Sequence, residues 1–278
     1  MLTGYHFPIR LVAGSASLVG LLLLGANVAG LFVPMRATEI NGYVDFANEP
    51  TRTFDESLAR LNTLGESSLD RAQFVTVATQ IFHEGIAHVA PDDVRANGFA
   101  HYGMRVPATE NWVLYVLSFL KPDTYMDYEF CSYKRALKRG TGRCGQQSLA
   151  LVSFLSDHGI PTGFVALEGH AIATAQVDDE SWYLLDPDYG GVIPYDIAEA
   201  EKNPSGVLAY YWSDAARLNR IDQVYAPINE LRLGGTNTRY PRACPIEQVA
   251  YVVKWALPPF LLVLWPGLRL LARRRLGR

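Results

Sequence analysis

The chain has 278 residues, a formal net charge of −3, 49% hydrophobic residues and three cysteines. That length supports one well-buried domain with elaborations rather than two. Seven of the 25 basic residues lie before residue 34 or after residue 248, which leaves 18 against all 28 acidic residues and a formal charge of −10 between them. Such a segment lacks the basic face that phosphate attraction requires, so nucleic acid is not an expected partner.

Leu11 to Val33 is a run of 23 residues with no charge and one amide, Asn27. It is long enough to cross a bilayer, so residues 1–35 read as an N-terminal transmembrane anchor. The alternative is a signal peptide cut near Ala26-Asn27-Val28-Ala29. Beyond it, a short helix is expected from Asp55 to about Leu64, stopped at Gly65. A longer helix follows, opened by a Ser67-x-x-Asp70 capping box and carrying Phe74, Val77, Ala78 and Ile81 on one face. Its end, His83-Glu84-Gly85-Ile86-Ala87-His88, invites comparison with the zinc-protease helix. That motif spaces its histidines four apart, and a spacing of five turns the second imidazole about 100° further round the helix. The segment reads as structural. Two more helices are expected over Thr109 to Leu120 and Asp127 to Lys138.

Gly140-Thr141-Gly142 resists helix, whereas Gln147 to His158 carries a buried-type stripe of Leu149, Leu151, Val152, Phe154 and Leu155. Gly159 supplies a left-handed stop and Pro161 prevents resumption. Cys144 therefore falls at a helix N-terminus, where unpaired N–H groups and the helix dipole stabilise negative charge. That is the setting a thiol nucleophile needs. His170 to Val177, the polar break Asp178-Asp179-Glu180-Ser181, and Trp182 to Asp186 read as a strand, a turn and a strand. A turn centred between Asp179 and Glu180 places Asp186 opposite Ala173 and diagonal to His170. The row Ala171, Ala173, Ala175 leaves a face on which a helix can pack closely. After Tyr189 the pattern is mixed, and Tyr210, Tyr211 and Trp212 read as packing residues.

A second span is expected from Val249 to about Leu268, with Lys254 snorkelling outward, three prolines bending it, and Trp255 and Trp265 at the interfaces; the alternative is a re-entrant or surface-lying segment. Arg269, Arg273, Arg274, Arg275 and Arg278 follow. The positive-inside tendency puts that tail in the cytoplasm, and with two spans the N-terminus as well. Residues 36–248 are then extracytoplasmic, and 249–278 form the C-terminal transmembrane helix and basic tail. Cys131 and Cys244 are left either as a disulfide tying the tail to the core or as two free thiols.

Cys144, His170 and Asp186 supply, in that order, a thiol, a base and a group to orient the base. Gly142-Arg143-Cys144 at a helix start, Gly159-Ile160-Pro161, Gly169-His170-Ala171 on a strand and Leu185-Asp186-Pro187 at the end of the next resemble the transglutaminase-like superfamily of cysteine hydrolases and acyltransferases. The resemblance covers about residues 66–195. It implies an α+β, papain-like core in which the Cys-bearing helix packs on an antiparallel sheet, here flanked by the two spans. By position it makes Cys144 the nucleophile, His170 the general base and then acid, and Asp186 the orienting group, with no cofactor and no metal. Ile172 stands where many members carry an aromatic residue. The upstream oxyanion residue of some relatives has no counterpart, which leaves the N–H of Cys144 as one donor and Gln146 or Tyr133 as a second. The expected chemistry is acyl transfer or hydrolysis at amide bonds of envelope proteins or peptides, at the cell's inner membrane, through a thioester. The alternative is a catalytically inactive module that keeps the fold for binding or assembly.

Overall fold

The computed structural model describes residues 6–36, 52–89, 98–167, 170–211, 230–233 and 243–276. The first half of the chain gives α1 (His6–Ala29), α2 (Phe54–Gly65), α3 (Arg71–Gly85), β1 (Ala87–His88), α4 (Ala108–Leu120), α5 (Pro122–Tyr125) and α6 (Tyr133–Arg139). The second gives β2 (Thr141–Gly142), α7 (Cys144–Asp157), β3 (Thr162–Leu167), β4 (His170–Gln176), β5 (Trp182–Asp186), β6 (Gly191–Ile193), α8 (Ile197–Lys202), α9 (Pro204–Val207), β7 (Glu230–Leu233) and α10 (Ala243–Leu276). These fall into two compact units, one of residues 36–104 and 127–245, the other of residues 1–35, 105–126 and 246–278.

The unit of residues 36–104 and 127–245 is α+β. Its five-stranded sheet runs β6-β5-β4-β3-β7, antiparallel throughout. Ser148 Oγ donates to Ala171 O at 2.9 Å, and Leu149 packs with Phe164 and Ala171, so α7 lies on the alanine face as expected. Its apolar residues Leu149, Leu151, Val152, Phe154 and Leu155 are all buried, each stabilising the fold by roughly 1.5–3 kcal/mol. The other face carries Val165, Leu167, Ile172, Leu184 and Ile193, closed over by Tyr189, Ala200, Val207 and Tyr211.

Three local expectations are corrected. Asp70 is itself the N-cap of α3, accepting from Gln73 N at 2.8 Å, instead of the far end of a box opened by Ser67. The helix expected from Asp127 begins only at Tyr133, because the backbone before it bonds elsewhere: Gln146 brackets Phe130 N and O at 2.7 and 3.0 Å, and Arg139 takes Tyr128 O. In the hairpin, Leu185 rather than Asp186 faces Ala173. Asp178 Oδ1 accepts from the N–H groups of Glu180 and Ser181 at 2.9 and 2.7 Å, which centres the turn on Asp179. Side chains alternate along a strand. The observed register therefore places Asp186 on the face of His170 and Ile172, whereas the expected one would have put it on the alanine face.

Cys131 and Cys244 form a disulfide, which closes the alternative left open above.

In the other unit, α10 contains, among the described residues, the one helix long and apolar enough to cross a membrane, Cys244–Leu264. The expected N-terminal span falls on α1, whose apolar stretch among those residues, Ser15–Ala29, is shorter. Gly20 of α1 meets α10 so closely that a Cβ there would lie 2.9 Å from Pro258 O. Pro258 has no N–H to give to Lys254 O, four residues back, and Asn27 Nδ2 of α1 donates to that carbonyl instead. Lys254 does not snorkel: it is buried, and its ammonium donates to Glu110 O of α4. That carbonyl is released because Asn111, at φ −156°, caps the following turn through Oδ1 to the N–H groups of Val113 and Leu114.

Candidate active site

Gly140, at φ +68°, ends α6 in the left-handed conformation that glycine adopts without strain. Thr141 and Gly142 then pair in parallel with Ala87 and His88, Arg143 is the extended N-cap, and Cys144 opens α7. The buried Arg139 fixes this approach: it donates to Thr141 O at 2.8 Å, Tyr128 O at 2.5 Å and Gln146 Oε1 at 2.6 Å, and its guanidinium stacks over Phe130. The first intrahelical bond runs from Gln147 N to Arg143 O, so the N–H groups of Cys144, Gly145 and Gln146 precede the ladder.

His170 starts β4 and Asp186 ends β5. His170 Nε2 lies 2.8 Å from Asp186 Oδ2, with both side chains buried. Asp186 also accepts from Tyr211 Oη at 2.9 Å and from the N–H groups of Asp188 and Tyr189 at 3.1 and 3.3 Å. With Nε2 so held, Nδ1 is the ring nitrogen left for the thiol. Cys144 Sγ, a ring nitrogen of His170 and a carboxylate oxygen of Asp188 all lie within 4.8 Å of one another. Cys144 is half-buried and is the one free thiol among the three cysteines. Burial alone would lower the pKa of His170, but the Asp186 carboxylate and the Cys144 sulfur more than offset it and hold the imidazole well above its usual value. The structure thus brings together all three residues singled out in the sequence; Glu168 and Gly169, beside His170, lie outside the described residues.

Two expectations about neighbours are corrected. The side chain of Gln146 is no oxyanion donor, since its amide is committed to Phe130 and Arg139. Nor is Tyr133, whose ring packs edge-on against Phe154, ten residues and about 15 Å along α7 from Cys144. Tyr211, read as a packing residue, donates to the triad carboxylate; Trp212 lies outside the described residues.

The sequence reading missed Asp188. Its Oδ1 accepts from Gln147 Nε2 at 2.9 Å and lies 2.6 Å from His88 Nδ1, and its Oδ2 is 3.9 Å from His170 Nδ1. Burial raises its pKa, yet His88, His170 and His83 bring it below the usual carboxylate range. His83 and Gln80 of α3 reach the carbonyls of Pro187 and Gly190 at 3.0 and 2.8 Å. The segment dismissed as a false zinc motif therefore cradles the loop that carries both carboxylates. The one local signal was Asp188 itself, two residues after Asp186 in an Asp-Pro-Asp turn.

No protein-family model, no curated protein and no solved structure matches this chain. What the arrangement can do is therefore argued from its own chemistry: a half-buried cysteine at a helix N-terminus, a base beside it, and a buried carboxylate that fixes the base.

Proposed function

We propose that this chain is a membrane-anchored, transglutaminase-like cysteine enzyme that transfers or hydrolyses acyl groups at amide bonds of envelope proteins or peptides. The observation that carries this reading is the 2.8 Å contact between His170 Nε2 and Asp186 Oδ2, with the Cys144 sulfur within 4.8 Å of an imidazole nitrogen. Cys144 attacks a carbonyl, the backbone N–H at the start of α7 receives the developing oxyanion, and His170 protonates the leaving amine. The thioester then passes to water or to an amine, giving a peptidase or amidase in the first case and a protein-glutamine acyltransferase in the second.

The setting belongs to the same proposal. Residues 36–248 face an extracytoplasmic compartment, two spans hold them to the cell's inner membrane, and both termini are cytoplasmic. The Cys131–Cys244 disulfide supports an oxidising compartment for the domain.

The test is the rate at which an alkylating electrophile labels Cys144. Fast labelling near neutral pH that slows at least about tenfold in His170→Ala, with the fold retained, is the expected result. Labelling at an ordinary thiol's rate in both proteins sinks the enzymatic reading and leaves a binding or assembly module. Incubation with a peptide library, with and without a primary amine, then separates hydrolysis from transfer.

A further inference from the structure

We infer that Cys144, His170 and Asp188 form a zinc-binding site, through which Zn²⁺ reversibly blocks the nucleophile. A thiol, an imidazole and a carboxylate are the donor types zinc prefers, and their ligand atoms lie within 4.8 Å of one another. Tetrahedral zinc, with bonds of about 2.0–2.3 Å, spaces its ligand atoms roughly 3.4–3.6 Å apart. His170 Nδ1 and Asp188 Oδ2 are 3.9 Å apart, so that edge closes with a shift on the order of half an ångström. Three protein ligands leave the fourth position to water, as in zinc sites that keep an open coordination position.

The atoms behind the ligands argue for the same site independently. Zinc-bound histidines give their second nitrogen to a carboxylate, and zinc-bound carboxylates are themselves hydrogen-bonded. His170 Nε2 is held by Asp186 at 2.8 Å, and Asp188 Oδ1 is held by His88 at 2.6 Å and Gln147 at 2.9 Å. Asp188 N donates to Asp186 Oδ1 at 3.1 Å, so one loop fixes both carboxylates. A cysteine nucleophile needs one carboxylate behind its histidine. The second, buried beside the thiol and imidazole and held by its own histidine, is not required by that triad and completes a set of three metal ligands.

Binding involves no oxidation. A sulfur–zinc bond forms, one proton leaves the thiol–imidazole pair for solvent, and a chelator reverses both. Blockade of the nucleophile rests on the functional reading above; binding of the ion does not.

The full chain in detergent, disulfide intact, leaves Cys144 as the one thiol, so sulfur-specific signals report on it alone. Titration with Co²⁺ should give a thiolate-to-cobalt charge-transfer band saturating at one equivalent, displaced by Zn²⁺ and absent in Cys144→Ser. Stoichiometric Zn²⁺ should slow alkylation of Cys144 at least about tenfold, with recovery on adding EDTA, and Asp188→Asn should weaken Zn²⁺ binding about tenfold or more, measured against a chromophoric chelator. Absence of the cobalt band in the wild-type protein overturns the site without recourse to any variant. Equal Zn²⁺ affinity in wild type, Cys144→Ser and folded Asp188→Asn overturns it as well. Zinc binding with alkylation that ignores His170 would keep the site and remove the enzyme, whereas fast His170-dependent alkylation without zinc binding would do the reverse.

Discussion

The buried Asp186 makes a sharp test of the triad, because every group around it donates. Oδ2 takes His170 Nε2 at 2.8 Å and Tyr211 Oη at 2.9 Å, while Oδ1 takes the N–H groups of Asp188 and Tyr189 at 3.1 and 3.3 Å. In Asp186→Asn, the two backbone N–H groups cannot turn, so the amide oxygen must stay with them and the NH₂ must face His170 and Tyr211. The tyrosine hydroxyl rotates to accept. The imidazole can accept only by moving its proton to Nδ1, the nitrogen beside the sulfur, where it no longer takes the thiol's proton. The fold should survive at a cost of about 1 kcal/mol, the worth of one exchanged hydrogen bond. Amide turnover should fall by up to about 10⁴, the scale of a wrong tautomer in a Ser-His-Asp site. Without a base to take its proton Cys144 reacts as a plain thiol, so its alkylation should slow at least about tenfold. Asp186→Ala behaves differently: it strands two buried N–H groups, a phenol and an imidazole, and should lose about 3–5 kcal/mol of stability. Chemical denaturation and alkylation kinetics on the two variants read these quantities separately. A well-folded Asp186→Asn protein that alkylates at the wild-type rate refutes the reasoning.

Reduction of the Cys131–Cys244 disulfide, which closes a loop of 113 residues, should lower the stability of the domain by about 5 kcal/mol on the loop-entropy relation, measured by urea unfolding with and without reductant. A loss under about 1 kcal/mol would mean that this bond does not constrain the unfolded chain. Glu84 reports on pH. Burial raises its pKa, but hydrogen bonds from Arg52 and Arg60 win and hold it below the usual carboxylate range. The unfolded chain therefore binds its proton more readily than the folded one, and the contribution is present above about pH 4.3 and lost as pH falls through the folded value. A wild-type advantage over Glu84→Gln of about 1 kcal/mol at pH 7 should vanish toward pH 3, and an advantage that grows on acidification contradicts the assignment.

Much of the site was legible in the chain because it is local. Gly140 to Gly142 ahead of an apolar stripe placed Cys144 at a helix start, and the polar break at Asp178 to Ser181 gave the hairpin that carries His170 and Asp186. What escaped reading depends on partners distant in sequence. His88 meets Asp188 across 100 residues, through a β1–β2 pairing of two residues a side that has no periodicity to detect. Arg139 looks like a surface charge near a helix end, and acceptors such as Thr141, Tyr128 and Gln146 explain why it is buried and why residues 127–132 are not helical. Lys254 read as a snorkelling side chain because the carbonyl that receives its ammonium is exposed by a distortion at Asn111, in another helix.

The turn centred on Asp179 makes strand register, and not residue identity alone, a condition on the site. A residue added or removed between Val177 and Trp182 that was drawn into β5, the turn keeping its length, would reverse the parity of that strand and swing Asp186 to the alanine face, away from His170, even with every triad residue intact. The same residue held in a longer or shorter loop would leave Leu185 facing Ala173 and the site whole. What the hairpin must keep is therefore a pairing, and the length of its loop matters only through the pairing that the turn selects.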